Sequence, residues 1–430
     1  MNGNDWLRMK VFFENELTNN ILSFWLPRCE DSTNGGYFNC FDNAGENLVS
    51  RDKYTWSQGR FVWMFARLAR MKTGLFSKDQ SHEFLRLAKN GKDFLMKHCL
   101  IGQGDMRCVF LMEEDGQPKH VEGWEPLDMS IYADCFVVLG MAAYAVAAED
   151  AAAYAFAKRL YESVLDRVDS GQFYTLPYPL PHGCRAHGIP MILSNVTWEM
   201  CGAAKHMDPG YEAELKRRLA GFAGDILEHF VDENDVVREV ITTDNRRVPG
   251  LLGGHANPGH TIEDMWFMMD AADLLEQPEI GARAVKIAAR ALEIGWDKEY
   301  GGILHYCMVD GGGWHSGQPV ARAEEMAEPA VRQVLEGWGD KLWWVHAEAL
   351  YTTLRCYERT KDQHFLDWHE KVFDYTFRMF PNRDPQVREW KQILKRDGTP
   401  QDKVVALPVK DPYHITRDLI LILELLERVG

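Results

Sequence analysis

The sequence predicts an all-α fold in which about twelve helices close into an (α/α)6 barrel. Short turn-and-strand signals recur along the 430 residues, and between them lie pairs of segments with helical apolar spacing. The first five signals are 64 to 68 residues apart, and the signals begin at Gly36, Gly104, Gly171, Asp235, Gly301 and Gln386. A nearly constant period along the whole chain favours one closed domain, residues 1–430, over several separate domains.

The two helices of each pair are expected to occupy different rings. Residues 56–68 and 342–354 are apolar and aromatic on most faces, so we predict that they lie in an inner ring. Residues 212–222 and 362–380 are amphipathic and are predicted to pack outside it. A linear helical solenoid is the alternative, but it needs polar capping repeats at its ends. The apolar last helix, around residues 419–426, instead favours a closure contact.

One stretch near residues 311–340 interrupts the period and lengthens the last interval to 85 residues. It opens with three glycines and Trp314, and it carries the acidic residues Glu324, Glu325, Glu328 and Glu336. Two interpretations remain open. The insert forms a lid or rim loop over one end of the barrel, where it would affect the choice of substrate, or it is a surface extension.

Composition limits the partners and the compartment. The net charge of −16 disfavours nucleic acids and anionic membranes, which bind basic surfaces. The longest apolar runs, such as residues 142–148, are too short to span a bilayer, and the N-terminus has no signal-peptide pattern. Nine cysteines without a CxxC pair favour reduced thiols and a cytoplasmic protein. No GxGxxG, Walker or HExxH motif supports a nucleotide cofactor or a zinc protease site.

The segment Asn257–Trp266 contains the strongest candidate for chemistry. Pro258 and Gly259 indicate a turn, and the residues after them have helical spacing. His260 and Glu263 are three residues apart and therefore share one face of that helix, which we expect to point inward. Ionisable groups are costly to bury without a partner. Two interpretations follow: Glu263 closes a helix-capping box, or His260 is a base that Glu263 holds in place.

The sequence NPGHTIEDMWF at residues 257–267 resembles the signature of the N-acylglucosamine 2-epimerase family, also called renin-binding proteins. Residues 35–45, 53–68, 341–350 and 413–417 are similar to further segments of that family, so the resemblance runs from near residue 35 to the C-terminus. The 311–340 insert departs from the family pattern. The resemblance implies an (α/α)6 barrel, a homodimer and stimulation by ATP, although the sequence has no local phosphate-binding motif for the nucleotide.

The resemblance also implies the roles of individual residues. His260 and His414 match the two catalytic histidines, with Glu263 beside the first and Arg417 one turn after the second. Glu348 matches an active-site carboxylate, and Arg60 matches a substrate-binding arginine. Most of the tryptophans are expected to fill the core. Trp344 is the one that we assign to substrate binding, because an aromatic ring can stack on the apolar face of a sugar.

These residue types suit epimerisation of a monosaccharide at C2. Two histidines on opposite faces of a planar intermediate can remove and return a proton, while Arg60 and Arg417 stabilise the enediolate oxygen, so that no metal or cofactor is needed. The family resemblance further implies that the substrates are N-acetylglucosamine and N-acetylmannosamine, which the protein would interconvert. The alternatives are a mannose or glucose 2-epimerase, an aldose–ketose isomerase, a glycoside hydrolase using Glu263 and Glu348, and a non-catalytic binding protein.

A disaccharide substrate is less favoured. Cellobiose 2-epimerases are related to the family that this chain resembles, and they carry a further histidine near the middle of the chain. Here no histidine lies between His187 and His206. His187 itself is expected to be structural or to support another site residue.

Overall fold

An inner ring of six helices forms the centre of the fold within residues 3–310 and 321–429, the part of the chain that the computed structural model describes. The ring consists of α3 (Thr55–Ala69), α5 (Ile131–Ala148), α7 (Gly188–Met207), α10 (Pro258–Leu275), α13 (Trp343–Thr360) and α15 (Tyr413–Val429). Each helix packs against the next one along the chain, and α15 packs back against α3. The ring is therefore closed, which rules out the linear solenoid.

An outer ring surrounds the inner one and consists, in the described chain, of six helices. They are α1 (Gly3–Asn15), α4 (Lys78–His98), α6 (Ala151–Ser170), α8 (Pro209–Asp225), α11 (Pro278–Gly295) and α14 (Gln363–Met379). Five of them pack against the inner helix that precedes them, and α1 packs against α15. The predicted (α/α)6 barrel is confirmed, and so is the assignment of all four example segments to the inner or outer ring.

Short strands precede four of the inner helices. They form a three-stranded sheet of β1 (Lys53–Tyr54), β2 (Leu111–Met112) and β3 (Pro118–Lys119), and three antiparallel pairs: β4 (Cys184–Ala186) with β5 (Val240–Thr242), β6 (His255–Ala256) with β7 (Cys307–Met308), and β8 (Lys341–Leu342) with β9 (Ile393–Leu394). The helices α3, α7, α10 and α13 begin within two residues of β1, β4, β6 and β8. These strands thus anchor the N-terminal ends of inner helices.

Shorter elements lie in the remaining connections. They are the helices α2 (Ser23–Trp25), α9 (Gly250–Gly254) and α12 (Pro329–Gly337), the π-helical turns Glu16–Leu22 and Ile226–Phe230, and the 3₁₀ turn Ala323–Ala327. The predicted turn signals are closed by isolated bridges such as Glu30 with Tyr37, Leu100 with Cys108 and Trp296 with Ile303. Each of these turns follows an outer helix or its π-helical extension, as the repeat predicts.

The apolar helix α5 corrects one expectation from the sequence. Its 18 residues have a mean hydropathy of 1.8, so by length and composition alone it is long enough to cross a membrane, although the run 142–148 is not. In the fold, 83% of that helix is buried. It packs between α3 and α7 and against α6, and this burial on several sides explains its apolar composition.

Two glycines allow α3 and α5 to approach each other closely. A Cβ atom on Gly140 would lie 2.4 Å from the carbonyl oxygen of Gly59, which belongs to the backbone and cannot move aside cheaply. We expect Gly140→Ala to lower the free energy of unfolding by about 3 kcal/mol, measured by urea denaturation, because overpacking forces the helices apart. Gly202→Ala is the matched control, since nothing lies within 4 Å of its Cβ position. It should be neutral or stabilising, and equal stability of the two variants would contradict the expectation.

Candidate active site

A cavity of about 190 Å³ opens at the end of the barrel where the inner helices begin. All six inner helices contribute to its wall, through Trp56 and Arg60, Phe136, Met191, His260 and Glu263, Trp344, and His414 and Arg417. Six of the seven residues predicted for the site therefore line one cavity. The seventh, Glu348, is fully buried and lies directly behind His414.

The local sequence around His260 explains why this side chain faces the cavity. Asn257 is the N-cap of α10, and its side chain accepts a hydrogen bond from the backbone N–H of His260 at 3.2 Å. Pro258 occupies the first helical turn, where its missing N–H costs nothing. A Cβ atom on Gly259 would lie 2.6 Å from the ring of Trp344, so only glycine permits this approach. The motif thus places His260 next to Trp344 at the start of the helix.

The carboxylate that holds His260 is Glu239, not Glu263. Nδ1 of His260 lies 2.9 Å from Oε2 of Glu239. Burial opposes the charge on Glu239, but the charges and hydrogen bonds of His260 and His187 keep its pKa well below the usual range. An ionised carboxylate only accepts hydrogen bonds, so the proton lies on Nδ1 of His260 and, in the neutral ring, Nε2 is the acceptor.

The two sequence interpretations of Glu263 are therefore both wrong. Glu263 neither contacts His260 nor caps α10, which Asn257 does. The sequence reasoning missed Glu239 altogether. One sequence signal was available, because Glu239 and its neighbour Arg238 interrupt the apolar run of residues 236–241. In the fold, Glu239 is buried.

His414 is held by Glu348, a pairing that the sequence did not specify. Nδ1 of His414 lies 2.6 Å from Oε1 of Glu348, and Nε2 lies 3.2 Å from Nη2 of Arg60. A guanidinium only donates, so Nε2 accepts and the ring is neutral. Burial lowers the pKa of His414 to about 3. The negative charge of Glu263 opposes this shift, and the positive charges of Arg60 and Arg417 add to it. His414 is thus neutral at physiological pH, so its Nε2 can accept a proton.

Arg417 joins the two predicted carboxylates. Its Nη2 contacts Oε1 of both Glu263 and Glu348, and its side chain is only 2% exposed. Trp266 donates a hydrogen bond from Nε1 to Oε2 of Glu348 at 2.8 Å. Glu263 therefore balances the charge of Arg417 and lies 3.8 Å from Nδ1 of His414, rather than orienting His260.

Arg60 and Trp344 complete the cavity wall around the histidines. Arg60 forms an ion pair with Asp411, and its guanidinium lies 4.1 Å from the ring centre of Phe136. The ring of Trp344 lies 5.6 Å from that of His260 and 5.5 Å from that of His414. Both histidines thus contact one tryptophan, which places them around the same space.

Among the described residues, Glu263, Glu348 and His414 bring ligand atoms within 4.8 Å of one another. Carboxylate oxygens and imidazole are ligands that divalent cations use. Arg417 already contacts both carboxylates and balances their charge. The expectation that the site works without a metal stays a prediction, which chelation can test.

Comparison with known proteins gives one family. Residues 36–417 match the family described as N-acylglucosamine 2-epimerase (GlcNAc 2-epimerase). The N-acylglucosamine 2-epimerase of Bos taurus is 29% identical over 412 residues, which cover 95% of this chain and 89% of that protein.

Two solved structures share the fold. The cellobiose 2-epimerase from Bacillus thermoamylovorans has a TM-score of 0.75 at 19% identity and covers 97% of this chain and 99% of its own. A D-mannose isomerase has a TM-score of 0.74 at 17% identity and covers 96% of this chain and 97% of its own. At these identities the likeness concerns the barrel alone.

Proposed function

The chain belongs to the N-acylglucosamine 2-epimerase family and is a sugar 2-epimerase, and we propose that it interconverts N-acetylglucosamine and N-acetylmannosamine. The observation that carries the proposal is the pair of histidines, each held by its own carboxylate and both in contact with Trp344 in one cavity. Two such groups are what inversion at a carbon centre requires, one for each face of the planar intermediate.

The proton transfers are balanced between the two histidines. For one epimer, neutral His414 removes the C2 proton through Nε2 while protonated His260 delivers a proton to the other face; the reverse reaction exchanges these roles. Glu348 and Glu239 stabilise the imidazolium that forms on each side. Arg60 donates a hydrogen bond to Nε2 of His414, and this bond must break before Nε2 can accept the substrate proton. Arg60 then donates to the enediolate oxygen as negative charge develops on it.

The acyl group is proposed to lie against an apolar part of the cavity. Leu180, Val240, Leu252 and Val334 line the cavity and belong to one apolar cluster, in which Val240 follows Glu239 in the chain. An apolar cavity of about 150 Å³ holds benzene, so about 190 Å³ suits one sugar ring with a small substituent better than a disaccharide. The coverage and identity of the Bos taurus relative also support the acylated substrate.

A mannose isomerase or mannose epimerase is the second candidate. The observation that favours it is the position of α12, from the insert, because its residues Ala330, Gln333 and Val334 line the cavity and leave less room for an acyl group than an open rim would. Residues 311–320 of the insert lie outside the described residues.

The deciding experiment is NMR of N-acetylmannosamine, mannose and fructose incubated separately in D2O at equal concentration. We expect N-acetylmannosamine to turn over fastest, with deuterium at C2. Faster turnover of mannose would overturn the acyl proposal, and conversion of mannose to fructose would make the enzyme an isomerase.

We further propose that the enzyme is a cytoplasmic homodimer with a monosaccharide as its substrate. All nine cysteines lie in the described residues and are free, which suits a reducing compartment. The dimer is proposed from the family resemblance. Light scattering on the purified protein measures the assembly directly, and a monomeric mass would contradict it.

We expect epimerisation to survive exhaustive treatment with EDTA. The reason is that Arg417 supplies the positive charge between Glu263 and Glu348, where a metal would otherwise bind. Rates before and after chelation, with metal content measured by mass spectrometry, test this. Loss of activity that zinc or manganese restores would instead identify Glu263, Glu348 and His414 as ligands of a metal-assisted isomerase.

A further inference from the structure

A strand pair brings one more histidine to the active site. The strands β4 and β5 are antiparallel with Ala186 opposite Val240, so the residues that flank this pair, His187 and Glu239, are neighbours. The backbone N–H of His187 donates a hydrogen bond to the carbonyl oxygen of Glu239 at 3.0 Å. The register of the ladder therefore fixes His187 beside the carboxylate that holds His260.

The side chain of His187 lies between two carboxylates. Its Nε2 is 2.8 Å from Oδ2 of Asp264, which follows His260 by one turn of α10, and its Nδ1 is 3.6 Å from Oε1 of Glu239. The ring is fully buried and packs against Phe230 at 5.8 Å. Among the described residues, Nδ1 of His187 and Oε1 of Glu239 have no hydrogen-bond partner, so the contact between them is an ion pair.

An imidazolium suits this arrangement better than a neutral imidazole does. A neutral imidazole has one N–H and donates to one carboxylate only, whereas the charged ring donates from both nitrogens. Burial opposes the charge on His187, but Asp264 and Glu239 together outweigh it and raise the pKa to about 10. Removing one partner from such a buried group leaves the other uncompensated.

We propose that His187 is a positioning residue whose buried imidazolium keeps Glu239 ionised and oriented toward His260. This inference rests on the proposed function, in which His260 is a base. The two bases would then have equivalent surroundings, because each carboxylate that holds a base also forms an ion pair with a buried cation. His187 pairs with Glu239, and Arg417 pairs with Glu348.

Proton exchange at C2 separates this role from a structural one. Each base serves one epimer, so His187→Gln should slow exchange into D2O of the epimer that His260 deprotonates, and spare the other. A partner that orients a ligand histidine in metal sites is worth roughly 10- to 100-fold, and we expect a loss of that order for the affected epimer. The other epimer should exchange at a rate within about twofold of the wild type, since its base, Glu348 and Arg417 are untouched.

His369→Gln is the matched control. His369 is buried at 3% exposure in α14, and its Nδ1 lies 3.1 Å from the carbonyl oxygen of Leu350, away from the cavity. This variant should lower stability without changing either exchange rate per folded molecule. Equal slowing of both epimers in His187→Gln, or no slowing of either, would overturn the proposal.

Nitrogen-15 NMR of the histidine rings tests the same inference without turnover. In the wild-type protein at pH 8, we expect His187 to carry protons on both nitrogens. A neutral His187 at pH 8 would overturn the inference even if the variant does not fold. Because this measurement uses no sugar, its result remains interpretable if the proposed function fails.

Discussion

Replacing His260 or His414 by Asn is expected to lower epimerisation by roughly 10²–10⁴-fold, the usual worth of a positioned proton-transfer group. Both rings line the cavity, and each has Nδ1 on a carboxylate, which leaves Nε2 as the reactive nitrogen. Each variant should nevertheless exchange the C2 proton of one epimer, because the base for that face remains. The measurement is deuterium incorporation into each epimer, followed separately by NMR.

The pattern across the two variants is the stronger test. His260→Asn and His414→Asn should preserve exchange of opposite epimers, whereas a fold defect would remove both. His369→Asn serves as the control for loss of a buried histidine outside the cavity, and circular dichroism checks the fold of all three. A loss of less than about tenfold in either active-site variant would make that histidine peripheral to the reaction.

The fold was predictable because the chain repeats it. Four nearly equal intervals and a longer fifth, separating units of two helical segments each, leave few arrangements other than a closed double ring. The run 142–148 understates the apolar character of α5, because Asp134 is the only charged residue of Ile131–Ala148, and that carboxylate is buried in an ion pair with Arg167. Because Arg167 of α6 neutralises Asp134, this one charged residue does not prevent the burial of α5.

Six of the seven predicted site residues line the cavity, but neither Glu239 nor the pairing of the residues was predicted. His260 and Glu263 share a helix face, which suggested that they contact each other. In the fold, Glu263 contacts Arg417 from α15, since a buried guanidinium requires anionic partners more strongly than a half-buried histidine does. Glu239 reaches His260 through the pairing of β4 with β5, and a contact between segments far apart in sequence leaves no spacing pattern.

Arg417→Met should have the second large effect, on stability and catalysis together. The substitution leaves Glu263 and Glu348 buried without a cation, next to Asp418, whose pKa burial and the Glu348 charge already raise well above its usual value. Breaking a buried pair costs about 3–5 kcal/mol, to be measured by urea denaturation. Arg417 also lines the cavity beside His414, and loss of its charge there should lower the rate by roughly 10²–10³-fold.

The pH dependence of that variant distinguishes its electrostatic role from simple destabilisation. Burial is the main reason that the pKa of His414 is about 3, and the charge of Arg417 lowers it further. Without Arg417 the two carboxylates remain, so the pKa of His414 rises. Protonation then removes the base at a higher pH, and the acid limb of the exchange that His414 catalyses should move upward.

Arg355→Met is the matched control for this prediction. Arg355 lies further along α13, is 11% exposed at its side chain, and contacts Asp270, Asp273 and Glu358 outside the cavity. It should lose comparable stability but keep the wild-type rate and pH profile per folded molecule. The double variant Arg417→Met with Glu263→Gln should regain part of the stability, because one uncompensated charge is gone. If the acid limb of the pH profile of Arg417→Met stays at the wild-type pH, Arg417 does not act on His414 electrostatically. This conclusion would hold however much stability the variant loses.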